Sequence, residues 1–177
     1  SDQATCRVLT PYGQMVAELP VEGWTSMLTA LAFGEAGERH FIGCGANRGK
    51  NLHLFELKDG QWQRRWLKLL GGQVNGIGIF GAEDRVIVAT SQGFLLGYDL
   101  AGRQLWHLLI AQGLKHMVKK GDRVIAVDGN GTVIVVNLSG QIENRTFLPS
   151  PCSFIAAKND HVYFACGAEI WHYALDT

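Results

Sequence analysis

Histidine is the residue type in this chain with the widest range of chemistry, and its six copies are scattered. None of them has a short metal-ligand spacing such as HxxxH. His107 and His116 flank one predicted loop and are the pair we expect to come closest. This spacing predicts no metal site. The histidines are His40, His53, His107, His116, His161 and His172.

The four cysteines are also far apart in sequence. Cys6, Cys44, Cys152 and Cys166 include no CxxC pair, and this excludes a zinc ribbon or a thioredoxin-like motif. Cys44 and Cys166 lie in nearly identical strings at 41–46 and 163–168, so we interpret both as small apolar residues buried on strands. Thiols without a disulfide framework favour a reducing compartment. We therefore expect a cytoplasmic protein, with a periplasmic or secreted location as the alternative.

Two glycine-rich strings resemble ligand loops. The string 45–51 is similar to a phosphate loop, but its glycines are too close together and no Ser or Thr follows Lys50. The string 128–131 is similar to the start of a calcium loop but lacks the later Glu, and Gly-Asn favours a tight hairpin. The nucleophile motif GxSxG is absent. We predict no catalytic residue and no cofactor, and expect a protein that is not an enzyme.

The charges argue against a polyanionic partner. Sixteen basic residues balance sixteen acidic ones, so no net field attracts nucleic acid or a membrane surface. The string 62–68 interleaves Trp62 and Trp66 with Arg64, Arg65 and Lys68, a pattern that can bind single-stranded nucleic acid. We favour ordinary packing instead, with Trp62, Arg64 and Trp66 on one face of a strand and Arg65 on the other. We expect a soluble protein.

An internal repeat supplies the elements that must position these residues. An acidic or polar turn followed by an apolar strand occurs four times and aligns without gaps, and an apolar strand precedes each copy. Each pair predicts a β-hairpin, and no period of 3.6 residues indicates a helix. The turn-and-strand copies are 37–42, 83–88, 121–126 and 159–164, and the preceding strands are 28–33, 74–80, 114–118 and 152–157.

A third strand, a glycine turn and a fourth strand with large side chains follow the first three hairpins. The turn glycines at 13, 60, 102 and 140 are 47, 42 and 38 residues apart. This is close to the roughly 40 to 50 residues of a four-stranded propeller blade. Twenty-two glycines against four prolines agree with many tight turns. The predicted fold class is all-β, a β-propeller of about four antiparallel four-stranded blades.

The string 98–106, Tyr-Asp-Leu-Ala-Gly-Arg-Gln-Leu-Trp, resembles the blade signature of bacterial quinoprotein-like propellers with pyrroloquinoline quinone-type repeats. Gly102 and Trp106 match the glycine of that signature and the tryptophan four residues later. The resemblance implies that Trp106, and also Trp66, dock between neighbouring blades. It also implies a quinone-cofactor redox domain as one alternative function. WD-repeat propellers match less well, because no Gly-His or Trp-Asp pair is in register.

We predict a single domain over 1–177. We name the four strands of a blade A to D in sequence order. The blades are expected at about 20–70, 71–110, 111–148 and 149–177, with residues 4–19 completing a terminal blade as its strands C and D. Residues 169–175 are predicted to be a strand C. Two closures stay open: four blades that close on themselves, or half of an eight-bladed ring made with a second chain or a longer parent chain. An open blade edge makes a homodimer a physical expectation.

Binding in a propeller belongs to its loops, because its strands are committed to packing. We therefore expect a binding or scaffolding propeller that engages a protein or peptide through the loops that follow strands B and D. A carbohydrate-binding propeller, with Trp24 and Trp171 as stacking platforms, is a further alternative. The residues predicted to contact the partner are Trp24, Asn47, Arg48, Lys50, Lys115 and His116, with Gln73, Asn75 and Gln112 on the same face.

Overall fold

A computed structural model describes residues 4–21, 27–46, 50–110, 112–159 and 161–174. These ranges form seventeen antiparallel strands in five sheets. The first sheet has two strands, the next three have four each, and the last has three. The described part of the chain contains no helix long and apolar enough to cross a membrane.

Within each sheet the strands follow chain order, so neighbours are joined as hairpins. We name the strands of a four-stranded sheet A to D, A being the first in sequence. The two-stranded sheet is β1 (Ala4–Leu9) and β2 (Met15–Val21). The second sheet is β3 (Leu28–Ala36), β4 (Arg39–Ala46), β5 (Asn51–Lys58) and β6 (Gln61–Leu69). The third is β7 (Val74–Phe80), β8 (Arg85–Thr90), β9 (Phe94–Tyr98) and β10 (Gln104–Leu109). The fourth is β11 (Leu114–Lys120), β12 (Arg123–Asp128), β13 (Thr132–Asn137) and β14 (Ile142–Phe147). The last is β15 (Cys152–Lys158), β16 (His161–Cys166) and β17 (Glu169–Ala174).

The four predicted hairpins are confirmed as β3–β4, β7–β8, β11–β12 and β15–β16. Strands B and C of the complete sheets are continuous apolar runs, such as Val86–Ala89, because each is covered on both faces by neighbouring sheets. In the strands D, exposed and half-buried residues alternate, as in β10, or nearly all residues are exposed, as in β14. These strands lie at the outer edge of their sheets.

The core lies between sheets, with one apolar cluster at each interface. Between the second and third sheets it contains Phe41, Leu54, Ile79 and Val88, and fully burying each such side chain contributes about 1.5–3 kcal/mol. The innermost strands approach closely enough to need glycine. A Cβ on Gly34 would lie 2.3 Å from a methyl carbon of Ile79. The repeat therefore stabilises the chain blade by blade, as in other repeat proteins.

Two tryptophans join consecutive sheets as the resemblance implied. Trp66 on β6 donates its indole N–H to the carbonyl oxygen of Leu100 at 3.0 Å, in the turn between strands C and D of the next sheet. Trp106 on β10 repeats the arrangement one sheet later, with the carbonyl of Leu138 at 2.9 Å. The prediction that both dock between neighbouring blades is confirmed.

The prediction that Trp62 and Trp66 share one face of their strand is wrong. Trp62 packs against the cluster next to β1 and β2, and Trp66 packs on the opposite side against the third sheet. The cause is an irregularity in β6, where Trp66 pairs with Leu54 but Arg64 pairs with Phe55, so Arg65 is an extra residue. One extra residue reverses the side of everything beyond it. Packing remains the role of both tryptophans.

The described strands form an open row of sheets. β1 and β2 pair only with each other and pack through Cys6, Leu19 and Val21 onto β4 and β5. No strand pairing joins them to β15–β17 in the described ranges. Self-closure within one chain is therefore not observed here, and completion of a terminal blade by residues 4–19 stays a prediction.

Candidate functional site

Strand A of every blade carries a β-bulge at the same register position. In β3, Leu28 pairs with Ala46 and Ala30 with Gly45, so Thr29 is the extra residue. The same shift of one residue recurs in β7, β11 and β15. Bulges re-aim side chains and are common at the rims of barrels and beside active sites. The extra residues are Thr29, Asn75, Lys115 and Ser153, all of them polar.

These bulges lie at one edge of the sheets, together with the turns between strands B and C and the connections from strand D to the next strand A. We call this edge the loop face. Its described connections are residues 70–73 and 148–151 with Ile110, Gln112 and Gly113, and its B–C turns are Lys50, 91–93, 129–131 and 167–168. We call the opposite edge, made of the A–B and C–D turns, the turn face.

Two of the bulge side chains bind the neighbouring blade. The Thr29 hydroxyl donates to the carbonyl of Val74 at 2.5 Å, and the Asn75 amide donates to the carbonyl of Leu114 at 2.7 Å. Both acceptors are the first residue of the next strand A. These contacts satisfy carbonyl groups at the rim and fix the spacing of the first three complete blades.

The other two bulge side chains have different surroundings. Ser153 donates to the carbonyl of Ala165 in its own hairpin at 3.1 Å, and Lys115 is exposed with its aliphatic stem beside Gly129. Lys115 therefore places a positive charge at the rim and, unlike Thr29 and Asn75, does not bind the neighbouring blade in this way.

His116 is half-buried directly beside Lys115. Burial and then the charge of Lys115 lower the pKa of this imidazole, and a hydrogen bond with the backbone of Ser153 opposes them only in part. The ring is consequently neutral at pH 7. Neutral histidine next to an exposed lysine offers a hydrogen-bonding group and one positive charge within a single patch.

The structure places three residues of the predicted contact set on the loop face, in two different sheets. Lys115 and His116 are adjacent at the rim, and Lys50 is exposed on the same face, with its backbone carbonyl held by the N–H of Leu70 at 2.8 Å. Trp24, Asn47 and Arg48 lie outside the described residues, so the whole set stays a prediction. The hydrogen bonds of Thr29 and Asn75 to the next blade were not predicted from the sequence. The signal that could have found them is a polar residue directly after the first apolar residue of each strand A.

Ion pairs within the chain involve several arginines of the turn face but neither Lys50 nor Lys115 of the loop face in the described ranges. On the turn face, arginines are neutralised by carboxylates, for example Arg103 with Asp99 at 3.1 Å and Arg123 with Asp122 at 3.0 Å. Within the described ranges, neither Lys50 nor Lys115 has an ion-pair partner. Lys58 and Lys158 on the turn face are likewise exposed and without an ion pair in the described ranges, so lysine charge is available on both faces. Lys115 differs from them in standing on a bulge of an innermost strand.

The string 128–131 is a tight turn, as the sequence favoured over a calcium loop. The buried carboxylate of Asp128 accepts hydrogen bonds from the backbone N–H groups of Asn130 and Thr132, each at 2.8 Å. The positive φ is at Gly131 (+85°) rather than at Asn130. Among the described residues, no three or more His, Cys, Asp or Glu side chains form a group that could hold a metal ion.

Comparisons with known proteins bear on the fold. No protein-family model matches the chain. No curated protein has a significantly similar sequence. Solved structures do match: the computationally designed Ika4 protein aligns with a TM-score of 0.71 at 18% identity, over 88% of this chain and 96% of Ika4. The designed Ika8 protein aligns with a TM-score of 0.72 at 18% identity, over 96% of this chain and 52% of Ika8.

A natural propeller matches as well. BBS1N, crystallised in complex with ARL6DN, aligns with a TM-score of 0.75 at 13% identity, over 97% of this chain and 59% of BBS1N. The chain is a set of β-propeller blades. It spans slightly more than half the length of Ika8 and of BBS1N. Such low identities establish the fold alone, and membership of the quinoprotein-like family stays a prediction, as do the quinone-cofactor and carbohydrate-binding alternatives.

Proposed function

We propose that this chain is a protein-binding propeller whose loop face engages an acidic segment of a partner protein or peptide. The observation that carries the proposal is the exposure of two lysines on the loop face. Lys115 stands on a bulge of an innermost strand, exposed and without an ion-pair partner in the described ranges, and Lys50 lies on the same face.

The geometry suits recognition of an extended acidic segment. The rim offers lysine charges, the neutral imidazole of His116 and side-chain amides such as those of Gln73 and Gln92, whereas its described carboxylates, Asp128 and Glu169, are already hydrogen-bonded. Complementary charge accelerates association and fixes orientation more than it adds affinity. A partner carboxylate at Lys115 is therefore expected to set the register of binding.

The fold likeness adds support. The solved propeller BBS1N was crystallised in complex with another protein, ARL6DN. Propeller loops as a class are free to bind because the strands are used for packing. We extend this mode of action to the present chain as part of the proposal.

The proposal is tested by selecting binders from a phage-displayed library of random twelve-residue peptides. We expect enrichment of acidic sequences, and the double variant Lys50→Glu/Lys115→Glu should bind the selected peptides at least tenfold more weakly by fluorescence anisotropy. The matched control is Lys58→Glu/Lys158→Glu, which reverses two exposed lysines at the turn face and should leave the Kd unchanged.

Equal loss in both double variants would indicate a general charge effect and would refute the assignment to the loop face. Selection of peptides without acidic residues would refute the acidic partner. Circular dichroism of each variant checks that the blades remain folded.

A further inference from the structure

All four cysteines are buried, which confirms the prediction made for Cys44 and Cys166, and they lie in two pairs that the sequence spacing did not indicate. Cys152 and Cys166 are directly opposite each other on the hairpin β15–β16. Cys6 and Cys44 come from different sheets: Cys6 is on β1 and Cys44 is on β4. The thiols of Cys152 and Cys166 are hydrogen-bonded too, and Cys152 is 7% exposed. What sets the second pair apart is the cavity beside Cys6.

The thiols of Cys6 and Cys44 are hydrogen-bonded to each other inside the apolar cluster where the two-stranded sheet packs onto the second sheet. Cys44 is fully buried, and Cys6 retains 6% of its surface. Two thiols in contact across a packing interface are candidates for a disulfide between the two sheets.

Cys6 also has access to solvent. It lines an open cavity of about 320 Å³ together with Val8, Leu31, Phe33 and Ile42, at the exposed end of the row of sheets. A molecule as small as hydrogen peroxide fits this space easily. Cys44 has no exposed surface and does not line this cavity.

The two thiols are unequal. The hydrogen bond from Cys44 lowers the pKa of Cys6 to about 7 against the opposing effect of burial. The same hydrogen bond, followed by burial, raises the pKa of Cys44. At neutral pH the outer sulfur is thus partly thiolate and the inner one is a thiol. At the other pair, burial is the main cause that raises the pKa of Cys152.

We propose that Cys6 and Cys44 form a peroxide-reactive dithiol, in which Cys6 is the attacking sulfur and Cys44 the resolving one. The Cys6 thiolate attacks one oxygen of a hydroperoxide, the O–O bond breaks, and a sulfenic acid forms while the other oxygen leaves and is protonated. The Cys44 sulfur then attacks the sulfenic sulfur and forms the S–S bond. The hydroxide that leaves takes the Cys44 proton, so two thiols and one hydrogen peroxide yield one disulfide and two waters.

The disulfide would connect β1 covalently to β4. The two-stranded sheet, which otherwise is held to the second sheet by side-chain packing, would be locked in place. A dithiol reductant would reverse the reaction by thiol–disulfide exchange. The state of this pair would thereby control how firmly the first two strands are attached.

The chain itself offers a clean assay, because trypsin releases the four cysteines in four separate peptides. Cleavage after the basic residues gives 1–7, 40–48, 146–158 and 159–177. The native protein is treated with a small molar excess of hydrogen peroxide at pH 7, blocked with iodoacetamide under denaturing conditions and digested. We expect peptide 1–7 to be linked to peptide 40–48, at least tenfold faster than any link between 146–158 and 159–177, and reversal by dithiothreitol.

Two variants separate the steps. In Cys44→Ser the hydroxyl keeps a hydrogen-bond donor beside the Cys6 sulfur but cannot resolve the sulfenic acid, so dimedone should label peptide 1–7, whereas Cys152→Ala should leave the 6–44 link unchanged. The rate of peroxide consumption by the native chain should rise with a midpoint near pH 7 rather than near 8.5, the ordinary value for cysteine. Preferential linkage of Cys152 to Cys166, no linkage at all, or a midpoint at the ordinary value would overturn the proposal.

Discussion

At the scale of single residues, the glycines of two hairpin turns are required for different reasons: Gly13 lies between β1 and β2, and Gly140 between β13 and β14. Gly13 has φ of +80° and no atom within 4 Å of an added Cβ, whereas Gly140 has φ of +85° and an added Cβ would lie 2.7 Å from the Trp106 ring. We expect Gly13→Ala to lower the free energy of unfolding by about 1 kcal/mol, from backbone conformation alone. Gly140→Ala should cost about 2–4 kcal/mol, because displacement of the ring is added. Urea denaturation measures both.

The tryptophan supplies the control for this comparison. In a Trp106→Ala background the ring is gone, so Gly140→Ala should cost no more than Gly13→Ala. A double-mutant cycle therefore isolates the contact between ring and turn. An unchanged cost of Gly140→Ala in that background would show that the turn, and not the docked indole, requires glycine.

Glu56 gives a prediction about pH. Burial pushes the pKa of this carboxyl up, but hydrogen bonds from Arg39 and Arg65 outweigh burial and leave the pKa lowered. A lowered pKa in the folded state contributes stability that is present above the unfolded value of about 4.3 and is lost as the pH falls through the folded value. Glu56→Gln should therefore destabilise the chain by about 1–2 kcal/mol at pH 7, and this difference should vanish near pH 3.

The control for Glu56 is an ion pair of the same type on the surface. Glu143 pairs with Arg123, and about a third of the glutamate side chain and two fifths of the arginine side chain are exposed. Glu143→Gln should change stability by less than about 1 kcal/mol at pH 7. Thermal denaturation of both variants between pH 3 and 8 compares them. A pH-independent effect of Glu56→Gln would contradict the ionic origin.

At the scale of the element, the bulged strands predict how blades are tied at the rim. Thr29→Val keeps the shape but removes the hydroxyl that binds the Val74 carbonyl, and Asn75→Ala removes the amide that binds the Leu114 carbonyl. Each should cost about 1–2 kcal/mol of unfolding free energy, since a rim carbonyl loses its donor. Lys115→Ala, at the same bulge position but exposed, should be within about 0.5 kcal/mol of the parent. Similar losses in all three would mean that the bulge itself, and not the hydrogen bond, is responsible.

The elements differ in how well the sequence predicted them. Strands such as Arg85–Thr90 and Arg123–Asp128 were predictable because a local apolar run after a polar turn is visible in the repeat. The docking of Trp106 was implied by the resemblance of the string 98–106 to the quinoprotein-like blade signature. The bulge at Arg65 was not predictable from alternation, because an extra residue leaves composition and local pattern intact and is defined only by pairing with β5.

The candidate site shows the same limit. Lys115 and His116 were predicted from their place next to a loop, and the repeat alone puts them at the rim. The contact between Cys6 and Cys44 could not be predicted, because it joins two residues 38 positions apart in sequence through a packing interface and not through strand pairing. A sequence repeat predicts which residues occupy corresponding positions in successive blades. Contacts between residues at non-corresponding positions, such as Cys6 and Cys44, become visible only in the three-dimensional structure.

At the scale of the whole molecule, the two ends of the row expose surfaces that the middle covers. Leu31 and Phe33 on β3 are 63% and 57% exposed, while Ile77 and Ile79, their counterparts on β7, are 8% and 0% exposed. Ile77 and Ile79 are buried because the second sheet packs against this side of β7. At the other end, Phe154 and Ile170 are 62% and 77% exposed. Both ends are therefore blade-packing surfaces, and large exposed apolar patches mark sites of association.

The homodimer expected from the sequence follows from these ends and stays a prediction. We expect light scattering to show a mass that rises from the monomer value of 19.4 kDa towards twice that value as the concentration increases from about 1 to 100 μM. Phe33→Asp or Ile170→Asp should prevent the rise, because a charge would have to be buried without a partner.

Leu109→Asp is the matched control, since Leu109 is equally exposed, at 69%, but lies on the outer strand of an internal sheet. It should leave the concentration dependence intact. A monomer at every concentration would show that a second copy does not cover these ends. A dimer that survives Phe33→Asp and Ile170→Asp but not Leu109→Asp would place the contact on the outer edges of the blades instead, and the exposed residues of the ends would then have to be explained by a different partner.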